Sequence, residues 1–377
     1  MDRLINEQRD LLRPEALNTL QAAADKARPV LRTRREKPVL NAEIANLEQA
    51  ATKWLQPYPS AAIRENVKEF LVAVVTILAF TTFFLQLTKI PTGSMQPTLY
   101  GITYEKLGTE AGPPPMLTRF VQYWLFGMSY KELTAPFDGR VLEISEARPV
   151  FPFVTRQRIL FGDPMNSSKR KWLTLWFPPD DRWPQAAGLS PEREYRAGDS
   201  IVKLRARTGD HLLVDRFTYN FRPPERGEII VFKTRGILAL PQDVLYIKRL
   251  VALPGEKVQI SDDQHLIING RKLTASDRHF ENVYTITNPG ESHYTGHLNG
   301  HVARTRFHLP LQYDIAPLFP DEQTVYTVGP RGYLAMGDNT LNSADSRVWG
   351  DLPQRNIIGR CWFIYWPFTD RFGWGYR

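Results

Sequence analysis

A single cysteine, Cys361, stands among 377 residues. The chain can therefore form no internal disulfide and offers no C-x-x-C pair to a metal. Cys361 lies in the apolar run GRCWFIYW, where a cysteine reads as a small core side chain. Acidic residues are outnumbered: 48 Lys and Arg against 40 Asp and Glu leave a formal charge of +8. A basic balance raises nucleic acid or an anionic membrane as partners. The cations form no stripe interleaved with aromatics and no recognition motif, which argues against nucleic acid. G-x-S-x-G is missing, so there is no hydrolase nucleophile elbow. No internal repeat appears. With 42% hydrophobic and 23% charged residues, the bulk reads as globular.

Long apolar runs are scarce too, with one exception. Residues 70–87, FLVAVVTILAFTTFFLQL, carry no charge and are bounded by Glu69 and Lys89. A membrane helix needs about 17–25 such residues. A buried core helix could share the pattern, but the charged flanks and the β-branched and aromatic content favour a span. It lies too deep in the chain for a cleavable signal peptide. Arg28, Arg32, Arg34, Arg35, Lys37, Lys53, Arg64 and Lys68 all precede it. Lys/Arg excess marks the cytoplasmic side, so the N-terminal region is expected in the cytoplasm and everything after Lys89 outside.

Before the span, residues 1–27 have helical composition, and RPVLRTRREKPVL reads as a basic linker. NAEIANLEQAATKWL places Ile44, Leu47, Ala51 and Leu55 at helical spacing, with Asn41 as an N-cap and QPYPS as the stop. After residue 101 comes a long irregular section, 102–207, rich in proline and tryptophan. Its segment RFVQYWLFGMSY, 119–130, is too short to span but suits a dip into the membrane interface. From 209 onward short β segments dominate, such as HLLVDRF, GEIIVFK, VLYIKRLVAL and RGYLAMG. They predict a mainly β, antiparallel fold, either barrel-like or a coiled sheet.

Three segments could carry chemistry. IPTGSMQPTL, 90–99, puts Thr92 and Ser94 either side of Gly93 in a turn flanked by prolines. A serine hydroxyl needs a base within hydrogen-bond reach to become a nucleophile. His211 and His265 stand in no hydrolase motif. In VLYIKRLVALPGE, strand alternation puts Val244, Tyr246, Lys248 and Leu250 on one face. A lysine on an apolar face either snorkels to water or is desolvated, and then its neutral amine can act as a general base. GDNTLNSADSRVWGDLP, 337–353, gathers hydroxyls, carboxylates and an arginine into a polar loop that suits a supporting shell.

Together PTGSMQPTL, GDHLLVDRF, YIKRLVALPGE and GDNTLNSADSRVWG resemble, in order and after a membrane span, four sequence boxes of bacterial type I signal peptidase. The resemblance covers about residues 70–101, 208–270 and 330–367. It implies the coiled antiparallel sheet, with Ser94 as nucleophile and Lys248 as general base. It also implies an oxyanion hole from the Ser94 backbone N–H and the Thr92 hydroxyl, and Ser343 bonded to the catalytic amine. Asp345 and Arg347 would form a supporting ion pair, and Asp338 would pair with Arg249. The implied protein is a membrane-bound serine endopeptidase without metal or cofactor. Secretory preproteins would be its substrates, membrane lipid its surroundings and the secretion translocon a candidate partner. The implied organisation is a cytoplasmic helical region 1–68, a transmembrane helix 69–88, and an extracytoplasmic domain 89–377 with an insertion at about 102–207. Many Gram-negative members have two spans, whereas this chain offers one.

Rival readings are weaker. A non-catalytic, membrane-tethered scaffold on the same fold would be expected to lack Ser94 or Lys248. Ser168 and Lys171 in SKRK match S-x-x-K, but S-D-N and K-T-G are missing. His293, His297 and His301 are spaced four apart as metal ligands on a helix would be, yet Gly296, Gly300 and the preceding NPG argue for a loop or a strand.

Overall fold

The computed structural model describes residues 1–32, 37–55, 61–108, 112–152, 154–285, 296–310 and 313–375. It forms two compact units, Met1–Leu78 and Ala79–Arg377. The first contains helices α1 (Asp2–Glu7), α2 (Pro14–Arg32) and α3 (Lys37–Trp54), and most of α4 (Ala61–Phe83). Ile5, Leu20 and Ala24 are buried, with Leu47, Ala50 and Trp54 packed on them. Asn41 is not a cap but lies inside α3, which opens on Lys37 and Pro38. A proline is accommodated in a first helical turn, where its missing N–H has no partner to lose. Residues 33–36 of the basic linker and the QPYPS stop lie outside the described residues.

The apolar run is divided differently from the expected helix 69–88. Helix α4 starts earlier, ends at Phe83, and is long and apolar enough over Ile63–Phe83 to cross a membrane. Leu85–Lys89 is instead a strand, β1, paired residue by residue with His211–Asp215. The backbone groups of 85–89 find partners in a sheet, and that pairing overrides the continuity of apolar residues.

β1 is the edge of an eight-stranded antiparallel sheet. Its other strands are β2 (His211–Asp215), β3 (Ile229–Lys233), β4 (Leu245–Ala252), β5 (Gly332–Met336), β6 (Leu352–Pro353), β7 (Ile357–Trp366) and β8 (Gly373–Trp374). They run in the order β1-β2-β7-β3-β4-β5-β6, with β8 paired to β7. Register shifts interrupt the β2–β7, β3–β7 and β4–β5 pairs. Such irregularities bend strands and curl the sheet. Ile90, Met95 and Leu99 of the serine turn pack into a core with Leu212, Val231, Ile247 and Cys361. A smaller four-stranded sheet around Lys257–Ile260 shares a second core with Phe280 and Phe319.

The section 102–207 is not irregular. Three strands, Thr103–Lys106, Met128–Thr134 and Ser200–Arg207, form one sheet, and five around Val154–Gly162 form another. Ile159, Phe161, Trp183, Val202 and Leu204 make its core. Charged residues alternating within the strands, as in SIVKLRAR, hide this order from composition. The segment 119–130 is divided between helix α5 (Met116–Phe126), which has no buried residue, and the strand that follows Gly127.

Trp183 is fully buried and donates Nε1–H to Gln157 at 2.7 Å. Trp183→Ala should destabilise this section by about 3–5 kcal/mol. Limited proteolysis should then cut first within 102–207, while β2–β7 remain protected.

Candidate active site

The serine turn is held from beneath by the loop that follows β5. Asn339 donates its backbone N–H to the Ser94 carbonyl at 3.1 Å and its side-chain amide to the Gly93 carbonyl at 2.9 Å. Gly337 permits this approach: a Cβ there would stand 2.4 Å from the Ser94 carbonyl oxygen and 2.2 Å from Ser343 Oγ. Behind the turn, a Cβ on Gly101 would stand 2.2 Å from the Thr92 carbonyl carbon. Gly93 is less constrained than its place in the turn suggests, because a Cβ there meets only the end of the Gln96 side chain. Closure of the turn thus depends on glycines in its neighbours.

Lys248 comes from the middle of β4, cross-strand from Ile230. Its Nζ lies 2.8 Å from Ser94 Oγ and donates to the Ile247 carbonyl at 3.0 Å. Both side chains are buried, and the Tyr246 ring lies 5.3 Å from the amine. Burial lowers the Lys248 pKa from 10.5 to about 8. Asp345 and Asp338 pull the other way, and Arg347 adds to the lowering. Among the described residues no carboxylate reaches ion-pair distance of this amine.

The nearby carboxylates are already engaged. Arg249 holds Asp338 in a bidentate pair at 2.8 and 2.6 Å, and Thr98 donates to the same carboxylate. The guanidinium also donates to the Gly227 and His279 carbonyls. Arg347 holds Asp345 at 2.9 and 2.8 Å and donates to the hydroxyl and carbonyl of Thr340. All four charged groups are fully buried. Burial alone would raise the Asp345 carboxyl. The Arg347 charge and hydrogen bonds, with the Gly337 N–H, hold it below its ordinary value.

The structure brings Ser94, Lys248, Asp338, Arg249, Asp345 and Arg347 together as expected pairs. Ser343 differs. Its Oγ is buried beside Gly337 without a hydrogen-bond partner, although it lies near enough to Asp345 to help lower that carboxyl. The Ile247 carbonyl, not Ser343, takes the second hydrogen bond of the amine. Thr92 is exposed on the turn that buries Ser94. His211 is no partner of the serine: its ring nitrogens face Thr208 and Tyr365, and burial pushes its pKa down to about 4. Ser168 bonds Asn166 on the surface. His297 is buried near Tyr284, His301 is exposed on the helix Gly300–Phe307, and His293 lies outside the described residues.

Sequence reasoning missed three residues. Asn339, next to Asp338, holds the turn. Asp210 accepts the Tyr100 N–H at 2.7 Å and a bidentate pair from Arg371, so it anchors the turn's far end. Asp210 stood within a recognised box, but Arg371 had no local signal.

A family model described as "Signal peptidase, peptidase S26" matches residues 201–366. That range contains Lys248 and its supporting pairs but starts after Ser94. The signal peptidase I of Leptolyngbya laminosa is 32% identical over 185 residues, covering 48% of this chain and 71% of that protein. The chain belongs to the signal peptidase family, S26. A probable signal peptidase I-2 of Synechocystis sp. is 30% identical over 170 residues, covering 45% of this chain and 60% of that relative, under two thirds of its length. A solved signal peptidase I from Enterococcus faecalis V583 is 24% identical over 37% of this chain and 97% of that one. Its TM-score of 0.22 is too low to bear on the site.

Two measurements test this electrostatic arrangement of the family's site. Arg249→Met should cost about 3–5 kcal/mol in denaturant unfolding, because Asp338 is left buried and unpaired. Adding Asp338→Leu should recover much of that loss. For Lys248 the folded pKa, about 8, lies below the ordinary 10.5. The unfolded chain therefore binds the proton more tightly, and stability withheld at neutral pH returns as pH rises through that window. Lys248→Met should raise Tm most at neutral pH, and the gain should shrink between pH 8 and 10.5.

Proposed function

We propose that this chain is a membrane-bound serine endopeptidase that removes N-terminal signal peptides from exported preproteins. The observation that carries the reading is the buried 2.8 Å contact between Lys248 Nζ and Ser94 Oγ. The neutral amine takes the Oγ proton as Oγ attacks the scissile carbonyl. The Ser94 N–H and the Thr92 hydroxyl receive the oxyanion. The ammonium then protonates the departing amine, which leaves an acyl-enzyme on Ser94. Lys248 next takes a proton from water, whose oxygen attacks the ester, and the ammonium returns that proton to the departing Ser94 Oγ, which frees the serine and the product's new C-terminal carboxyl. The substrates carry small residues at the first and third positions before the cut.

Helix α4 is the single membrane span in this reading. The cations before it place the N-terminal helices in the cytoplasm and the β domain outside. The exposed apolar residues of α4, such as Phe70, Leu71, Val75 and Ile77, suit acyl chains. Helix α5, 11 residues long, is too short to span. Its exposed Leu117, Phe120 and Trp124 suit the membrane interface. The secretion translocon would be a neighbour there.

Detergent-purified full-length protein should cleave a secretory precursor, and Ser94→Ala should not. Lys248→Arg should be inactive, since guanidinium stays charged. Cleavage should rise with pH along a limb centred near pH 8, the amine's value. Thr92→Val should lower the rate by about 10²–10³ without altering that limb. Substantial turnover by Lys248→Arg would overturn the dyad.

A further inference from the structure

A cavity of about 680 Å³ lies within the unit Ala79–Arg377. Thr82 and Phe83 at the helix end form part of its wall, with Arg216, Lys233, Arg235 and Arg355 around it. Among the described residues no carboxylate lines it. Arg216 is fixed in place, donating to the Thr82 carbonyl at 2.8 Å. Arg235 meets Asp243 at 2.8 Å in a solvent-exposed pair, which leaves most of its charge to solvent and salt. Among the described residues, Lys233 and Arg355 reach no carboxylate at ion-pair distance. A cluster of four cations with one solvent-exposed counter-charge favours an anion, and guanidinium groups match phosphate oxygens in pairs.

Apolar surface adjoins the cations. Phe84 stacks on Phe80 at 5.3 Å, Phe217 lies 5.3 Å from Phe84, and Phe221 lies 4.7 Å from Phe217. Phe83 and Phe221 are exposed by 70% and 74%. Such rings gain by leaving water. Cations beside exposed phenyl groups at the end of a membrane-length helix match an amphiphile, with its phosphate inward and its acyl chains along α4.

We infer that this cavity binds the headgroup of an anionic phospholipid of the membrane that α4 crosses. The inference rests on the reading of α4 as a span. It gives the β domain a lipid-dependent contact at the root of its tether, separate from the dyad. Free inorganic phosphate shares the headgroup chemistry, so the test must separate the two.

Full-length protein in a non-ionic detergent would be mixed with phosphatidylglycerol, phosphatidylcholine or inorganic phosphate, and bound lipid counted by native mass spectrometry. Phosphatidylglycerol should be retained roughly tenfold over phosphatidylcholine, as expected for several near-surface cations. The triple variant Lys233→Gln/Arg235→Gln/Arg355→Gln should lose that preference while still cleaving precursor in detergent. If the triple variant fails to cleave, the single variant Arg355→Glu, at an exposed position, should show the same loss in part. Equal retention of both lipids, or a preference untouched by either variant, overturns the proposal. So does displacement of phosphatidylglycerol by millimolar phosphate, which would make the cavity a free-anion site. Alkaline carbonate extraction of membranes reads the span separately: release of the wild-type protein would defeat the span and leave the lipid count in detergent as its own result.

Discussion

A lysine amine buried without a carboxylate partner is the constraint on which this structure turns. An ammonium in that position is costly, and the cost appears as a pKa drawn down to about 8. The two nearest acids would restore the charge if they were free to pair with it. Each is instead locked to an arginine, Asp338 to Arg249 and Asp345 to Arg347. The supporting shell therefore works by occupying carboxylates as much as by holding groups in place. The four buried charges pair off among themselves, and the amine is left with the Ser94 hydroxyl and the Ile247 carbonyl as its hydrogen-bond partners.

The same strand supplies both sides of this arrangement. Lys248 and Arg249 are consecutive in β4, so alternation sends them to opposite faces. Lys248 reaches the serine turn, while Arg249 reaches under it to Asp338 and to the carbonyls of Gly227 and His279. A register slip of one residue would exchange Lys248 and Arg249 between the two faces. β4 is paired on both sides, with β3 and β5, which keeps that register in place.

The ends of the section 102–207 are pinned together. Thr103 faces Arg207 across a strand pair, and the Asp210 N–H donates to the Tyr100 carbonyl. The chain leaves the serine turn and returns to β2 at nearly the same place. Loop-closure entropy rises only slowly with length, and the residues of this section have a core of their own around Trp183 and Phe161. A section of this length can therefore be accommodated at this point without moving Ser94 or Lys248.

Much of the site was legible in the amino-acid order, because its chemistry is carried by residues that are unusual where they stand. A lysine on an apolar strand face, a serine in a proline-flanked turn and a loop dense with Asp, Ser and Arg are local anomalies. Their order along the chain marks the family. The antiparallel β character from 209 onward was equally local, written in alternation and turn residues. What the tertiary structure decided was everything that depends on a distant partner. The apolar run was divided between a helix and a strand because β2 supplied hydrogen bonds to 85–89. The tight glycines around the serine turn are Gly101 and Gly337, since a close approach is a property of two segments. Ser343 lost its expected bond to a carbonyl next in sequence to the lysine itself. Sequence determines which groups can react. Whether a group is buried, paired or free is set by neighbours tens to hundreds of residues away, and only the folded chain brings them within reach.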